Sequence, residues 1–326
     1  MPHPLIDVLE VAVVQAAGPL FDVGAGVDKA CQLIADAAGR GARLVVLPEA
    51  FIGGYPRGLS FGTVVGSRTS EGRDMWARYH SGALEIPGPG VEQLSAAAAS
   101  ARALVAVGAV ERVAGRPGTL YCSLLYFGPD GRFLGRHRKL KPTASERLIW
   151  GEGDVSDLVT LDAPWGRVGG LICWENYMPL SRAALYQQGI SVYLAPTADS
   201  RPQWQATMVH VALEARAFVL GCNQYVSRAH YPPDLAEHAE VRVLPEPPSP
   251  GGSVIVSPLG EVLAGPLWGE EGILRASLDL RQVVRSRLDF DPSGHYARPD
   301  VLSLQGPSLP APVRVPWEAT ESEKGT

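Results

Sequence analysis

Four cysteines in 326 residues, Cys31, Cys122, Cys173 and Cys222, with no C-x-x-C pair, are too few and too scattered for a disulfide scaffold or a structural zinc site. They read as reduced thiols. No run approaches the length of a membrane-spanning helix, and Met1-Pro-His-Pro-Leu-Ile-Asp-Val8 lacks a basic segment followed by an apolar stretch. The expectation is a soluble, cytoplasmic protein without a membrane partner. The net charge is −5 and no block of Lys or Arg could track phosphates, which argues against nucleic acid as a partner. There is no internal repeat. His230 and His238 lie in a Pro-rich stretch without ligand spacing, so neither a metal nor another cofactor is expected.

With 46% hydrophobic residues, the chain can bury a sizeable core. Apolar runs with a β-branched bias at 8–15, 44–47, 104–111, 168–172, 190–195, 219–225, 253–256, 262–265 and 273–278 read as strands, and 121–127 with 132–138 flank the turn Gly128-Pro-Asp-Gly131 as a hairpin. Helical spacing marks 27–40, 91–101, 204–218 and 280–288, with a further helix opening at Pro179. Residues 52–73 and 228–252 are non-periodic and are expected to be long loops. The alternation gives an α/β fold. No internal boundary is visible, so residues 1–295 are expected to form one domain. The Pro-rich, then charged, residues 296–326 are expected to be a tail that packs on another subunit or stays mobile.

The sequence is organised around Gly166-Arg-Val-Gly-Gly-Leu-Ile-Cys173-Trp-Glu-Asn-Tyr-Met-Pro179. A short buried strand runs into Cys173, and a helix opens at Pro179. A strand-to-helix corner lifts a thiol out of the sheet beside free backbone N–H groups, which suits a nucleophile; the competing reading is a buried structural cysteine. Two other groups stand at strand ends. Glu49 follows the apolar run 44–47, and Lys139 lies in the cationic cluster His137-Arg-Lys139-Leu-Lys141. A thiol needs a base, which Glu49 could supply if burial raised its pKa, and Lys139 would stabilise the anion formed on attack. His137 and His210 are the competing partners for Cys173, in a Cys/His dyad.

Leu47-Pro-Glu49-Ala-Phe-Ile-Gly-Gly-Tyr55-Pro56, His137-Arg-Lys139-Leu-Lys-Pro-Thr143, Glu146-Arg147 with Trp150-Gly-Glu-Gly-Asp154, Cys173-Trp-Glu-Asn-Tyr-Met-Pro-Leu180, Ala195-Pro-Thr-Ala-Asp199 and the run from His210 to Leu220 resemble, in order and spacing, the signature blocks of the nitrilases. The resemblance covers most of the chain. It implies an α-β-β-α sandwich, two mixed β-sheets covered by helices, and a catalytic Glu49, Lys139, Cys173 triad. Glu146 corresponds to the family's second glutamate, which helps position substrate and water. The run Gly153-Asp154-Val155-Ser156 departs from the usual Gly-Asp-Gly-Ser but touches no triad position. Tyr55, Trp150, Trp174 and Tyr177 become candidate pocket walls by their nearness to the motifs, with core packing as the alternative. The implied activity is hydrolysis of an organic nitrile by water through a covalent thioimidate and thioester, in a homo-oligomer that is a dimer or a larger spiral. Cys-Trp-Glu-Asn favours nitriles over amides. An amidase or carbamoylase of the same superfamily, or a non-catalytic scaffold, are the alternatives.

Overall fold

In the computed structural model, which describes residues 7–304 and 307–318, the strands Val8–Gln15 (β1), Leu44–Val46 (β2), Leu84–Glu85 (β3), Leu104–Arg112 (β4), Leu120–Phe127 (β5) and Phe133–Arg138 (β6) build a first sheet. A second sheet follows from Leu161–Ala163 (β7), Gly166–Gly170 (β8), Ile190–Thr197 (β9), Phe218–Asn223 (β10), Tyr225–Val226 (β11), Ser249–Val256 (β12) and Val262–Trp268 (β13). Gly272–Asp279 (β14) then returns antiparallel to β1 at the edge of the first sheet, and Val313–Arg314 (β15) adds in parallel to β7 at the edge of the second. Both sheets mix parallel and antiparallel pairs.

The two-residue period of a strand sorts the apolar side chains into layers. From β1, β2 and β4, Val11, Val13, Leu44, Val46, Leu104 and Ala106 face the second sheet, where they meet Val192, Leu194, Phe218 and Leu220. The intervening Ala12, Val14, Val45, Val105 and Val107 face outward. That outer face is covered by the helices Val23–Gly39 (α1) and, beyond Ser70–Ser81 (α2), Pro89–Ala101 (α3), through Val27, Ile34 and Leu94. On the far side of the second sheet, Pro179–Gln187 (α4) and Gln203–Ala215 (α5) lay Leu185, Trp204, Met208 and Val211 against Tyr193, Val219 and Val254. The result is the expected α-β-β-α sandwich. Its central layer is the contact between the two sheets.

Three expectations need revision. Helix α2 begins inside the stretch expected to be a loop; only Gly72 and Tyr79 of its twelve residues are buried, so it has no apolar stripe to read. The stretch 228–252 holds two single-turn helices, Pro233–Ala236 (α6) and Ala239–Arg242 (α7), and the start of β12, where Pro250, Gly251 and Gly252 conceal the strand. Within the presumed tail, β15 pairs with this chain's own β7, Val315 is buried, and the Trp317 ring lies 4.3 Å from Trp165 and 4.2 Å beneath the Arg43 guanidinium. The last eight residues of the tail lie outside the described residues.

Strand direction decides where the loops meet. β6 runs parallel to β2 and β4, because β5 is antiparallel to both of its neighbours; β8, β9 and β10 are parallel in the second sheet. Glu49, Lys139 and Cys173 follow the carboxyl ends of β2, β6 and β8, the edge at which α/β sheets place their sites. Gly108 of β4 makes the Glu49 corner possible, since a Cβ there would lie 2.0 Å from the Pro48 oxygen and 2.7 Å from the Glu49 Cα. Replacing it with alanine should therefore cost about 1–3 kcal/mol through forced displacement of that backbone. Urea unfolding would show it as a lower midpoint with an unchanged slope, whereas a midpoint equal to wild type would mean that the corner yields freely.

Candidate functional site

Cys173 leaves β8 with a φ of 52°, left-handed for a residue with a Cβ, and opens the 3₁₀ turn Cys173–Tyr177 that leads into α4. Such a conformation costs about 1–3 kcal/mol and persists only where the surroundings enforce it. Here the enforcing groups are visible. Asn176 Nδ2 donates to the Cys173 and Leu171 oxygens at 2.8 and 3.1 Å, while its Oδ1 accepts from Tyr193 Oη at 2.8 Å. The Ile172 N–H donates to Glu175 Oε2 at 2.7 Å. Thr197, the last residue of β9, donates its hydroxyl to Cys173 Sγ at 3.1 Å. The thiol is thereby fixed at a corner with almost no solvent exposure.

Lys139 and Glu49, both without solvent exposure, form a buried ion pair in which Lys139 Nζ lies 2.7 Å from Glu49 Oε1. The ammonium also lies 2.7 Å from Glu146 Oε2, on the 3₁₀ turn Ala144–Leu148. Glu146 in turn accepts from Tyr55 Oη and from the Thr143 N–H, each at 2.7 Å. Glu49 Oε2 accepts the Ala198 N–H at 2.8 Å, which ties the first sheet's carboxylate to the end of β9 in the second. One ammonium is thus held between two carboxylates, each fixed by a donor from elsewhere.

Burial raises the Glu49 carboxyl above the ordinary range, and the Lys139 charge and a hydrogen bond with Cys173 offset only part of that. Burial opposes the Lys139 ammonium, but Glu49 outweighs it and holds its pKa well above the usual lysine value. The Cys173 thiol is pushed up by burial and then by the Glu49 charge, so it rests protonated. A carboxylate with raised affinity for a proton therefore sits beside a thiol that must lose one.

Tyr55, Arg57, Glu146 and Trp150 line a cleft of about 400 Å³, in which the Tyr55 and Trp150 rings are 5.7 Å apart, edge to face. The Trp150 ring centroid is 5.8 Å from Lys139 Nζ. The structure thus gathers Glu49, Lys139, Glu146, Tyr55 and Trp150 around one centre, with Cys173 acting electrostatically on the same lysine. It does not bring Trp174 and Tyr177 into the cleft lining. Their rings are 5.6 Å apart and partly exposed, with the Trp174 indole donating to Asp199 at 2.8 Å beneath Arg201. Neither competing histidine partners Cys173: His137 is bonded to Glu175 and the Asp157 oxygen, and His210 is exposed beside Glu214. Among the described residues no cluster of His, Cys, Asp or Glu could hold a metal ion, and no helix is long and apolar enough to cross a membrane.

Sequence reasoning missed the role of Thr197 against the thiol and of Glu175 beneath the turn. Thr197 closes the apolar run of β9 inside a motif already singled out, which is a usable signal. Glu175 stands two residues after the cysteine, but apart from the local Ile172 N–H its partners, His137 and Leu140, lie 38 and 35 residues away in sequence and leave no local mark.

An α-β-β-α sandwich carrying these groups at one edge fits the family model described as carbon-nitrogen hydrolase, which matches residues 10–287; the chain belongs to that family. Closer relatives are more specific. The chain is 51% identical over 296 residues to an aliphatic nitrilase of Sinorhizobium fredii, covering 90% of this chain and 94% of that protein. It is 48% identical over 323 residues to a bifunctional nitrilase/nitrile hydratase of Lupinus angustifolius, covering 98% and 92% respectively. A carbon-nitrogen hydrolase structure from Helicobacter pylori shares the fold with a TM-score of 0.70 at 19% identity, covering 91% of this chain and 97% of that one.

Removing the cation from this cluster leaves two carboxylates buried without compensation. Lys139→Met should cost about 3–5 kcal/mol at neutral pH. The sign of its pH dependence follows from the same burial. In the variant the folded-state pKa of Glu49 rises further above its unfolded value, so the penalty is full above that pKa and is relieved as pH falls through it. Urea unfolding of variant and wild type at pH 7.5 and pH 5.5 should show the gap between them narrowing at the lower pH. A gap that is constant or widens would contradict the electrostatic account.

Proposed function

We propose that the protein is a nitrilase that hydrolyses an organic nitrile to the carboxylic acid and ammonia, with Cys173 as nucleophile, Glu49 as base and Lys139 as fixed positive charge. The observation that carries this reading is the buried Glu49–Lys139 pair at 2.7 Å beside a thiol on a left-handed corner. Relatives about half identical in sequence and named nitrilases support a nitrile rather than an amide as substrate.

Glu49 takes the Cys173 proton as sulfur attacks the nitrile carbon, and the resulting thioimidate nitrogen receives that proton. Lys139 and the Trp174 N–H, an amide at the first turn of a helical segment, stabilise charge on that nitrogen. Water adds to the thioimidate carbon, ammonia leaves and a thioester remains. A second water, deprotonated by Glu49, displaces sulfur as the acid. Glu146 positions substrate and water from the cleft wall, with Tyr55 and Trp150 as its apolar sides. Departure of sulfur in place of ammonia from the first tetrahedral adduct releases the amide instead, which is the outcome of a nitrile hydratase, the second activity in the name of the lupin relative. The protein acts in the cytoplasm as a homo-oligomer; the exposed Trp174, Tyr177, Leu180 and Leu213 on the outer side of the second sheet support self-association.

The test is ammonia and acid release from an aromatic nitrile, an arylacetonitrile, an aliphatic dinitrile and a cyano-amino acid, with the matching amides alongside. Acid from at least one nitrile is expected, with at least a 10³-fold loss in folded Cys173→Ala, because no other group can form the thioimidate. Turnover confined to amides would move the protein to the amidase branch. Normal turnover by the Cys173→Ala variant would overturn the mechanism.

A further inference from the structure

Lys139 and Cys173 arise from different sheets, and among the described residues no hydrogen bond joins their side chains. One buried carboxylate spans the gap. Glu175, on the 3₁₀ turn that Cys173 opens, accepts the Ile172 N–H of its own turn at 2.7 Å with Oε2. Its Oε1 accepts the Leu140 N–H, the amide immediately after Lys139, at 2.6 Å. His137, two residues before Lys139, donates Nε2–H to Glu175 Oε2 at 2.9 Å. The Lys139 segment is therefore gripped on both sides by a group rooted in the nucleophile's turn.

The protonation state follows from the partners. His137 Nδ1 lies 2.8 Å from the Asp157 backbone oxygen, which can only accept, and Nε2 faces a carboxylate that already takes two amide protons. Nδ1 therefore carries hydrogen, and an acceptor group that already takes two amide protons favours a hydrogen on Nε2 as well, which gives His137 a positive charge. Burial opposes that charge, but Glu175 outweighs it and raises the histidine's pKa. Both side chains are almost fully buried, so the bonds are not shared with bulk solvent.

We propose that Glu175 and His137 form a positioning pair that sets the distance between the Lys139 ammonium and the Cys173 sulfur, and so governs the chemical step rather than substrate binding. The proposal rests on the reading of Cys173 and Lys139 as reacting groups. Neither Glu175 nor His137 borders the cleft, so substrate affinity has no direct dependence on them. Misplacement of a reacting group by about 1 Å can cost on the order of 10²-fold in rate.

Two substitutions at 137 separate positioning from mere presence of a polar group. His137→Gln places an amide donor near the position of Nε2 and retains the bond to Glu175. His137→Asn reaches only the position of Nδ1 and retains the bond to Asp157. On the best nitrile substrate, kcat should fall about 10- to 100-fold in His137→Asn and about 100-fold in Glu175→Gln, with KM within about threefold of wild type. His137→Gln should stay within about tenfold of wild-type kcat and clearly above His137→Asn. Circular dichroism and thermal unfolding establish that each variant is folded, and the pair at 137 suffices if Glu175→Gln does not fold. Equal kcat in the two 137 variants, or a loss confined to KM, would overturn the proposal. Should wild type hydrolyse no nitrile, the nitrilase reading fails, yet the pair is still tested by iodoacetamide labelling of the Cys173 peptide, followed by mass spectrometry. Labelling at least about tenfold slower in His137→Asn than in His137→Gln supports the pair, and equal or faster labelling overturns it.

Discussion

A lysine ammonium with no contact to solvent is the constraint on which the rest of the site depends. Removing such a charge from water costs several kcal/mol, so it is tolerated only between well-placed carboxylates that are themselves satisfied. Lys139 has two, Glu49 from the end of β2 and Glu146 from a turn just beyond β6, and each is fixed by a donor from another element: Ala198 at the end of β9 for Glu49, Tyr55 for Glu146. The requirement to pair one buried cation thus draws loops from both sheets to one edge of the sandwich. The cluster also holds more negative than positive charge, and burial leaves the Glu49 carboxyl with a raised affinity for protons.

The same edge stores strain. Cys173, Ala50 beside Glu49 and Ala144 beside the Glu146 turn all have left-handed backbone conformations. A folded chain keeps such corners only when its surroundings over-determine them, and at Cys173 the bonds that do so are Asn176 to the Cys173 and Leu171 oxygens, the Ile172 N–H to Glu175, and Thr197 to the sulfur. The two sheets supply rigid strand ends, while the corners turn side chains inward from them. Preorganisation of this kind removes the cost of ordering charged groups during a reaction.

What the sequence reveals about this arrangement depends on how local each signal is. Strands whose side chains alternate between two apolar layers read as unbroken apolar runs, so β1, β4, β9 and β10 are legible, and with them the α/β class. Glu49 and Cys173 are legible because each closely follows such a run, and Lys139 because it stands in a compact cationic cluster at the end of a hairpin. Helix α2 is not, because it buries almost nothing, and the start of β12 is hidden by proline and glycine. Tyr55 and Trp150 are neighbours in space through Glu146 and Lys139, whereas Trp174 and Tyr177, nearer to the cysteine in sequence, pack on Asp199 and Trp204 instead. The direction of a side chain at a tight corner is set by tertiary bonds, which sequence proximity does not encode. Glu175 illustrates this most clearly, since two of the three hydrogen bonds that converge on it come from the other sheet and are not written in the residues beside it.

The division of labour between the two charged partners of Cys173 follows from their proton affinities. An efficient proton carrier has a pKa near the working pH, where both its forms are accessible. Lys139 is held well above its ordinary value, chiefly by Glu49, so it parts with a proton reluctantly and suits the stationary charge of the proposed mechanism. Glu49 is displaced upward by its burial, which suits the proposed role of accepting a proton from the thiol and returning it to nitrogen. On the proposed reading every proton of the cycle then passes through Glu49. On that same reading, the partition between acid and amide depends on how promptly that carboxyl protonates the departing amine before sulfur leaves.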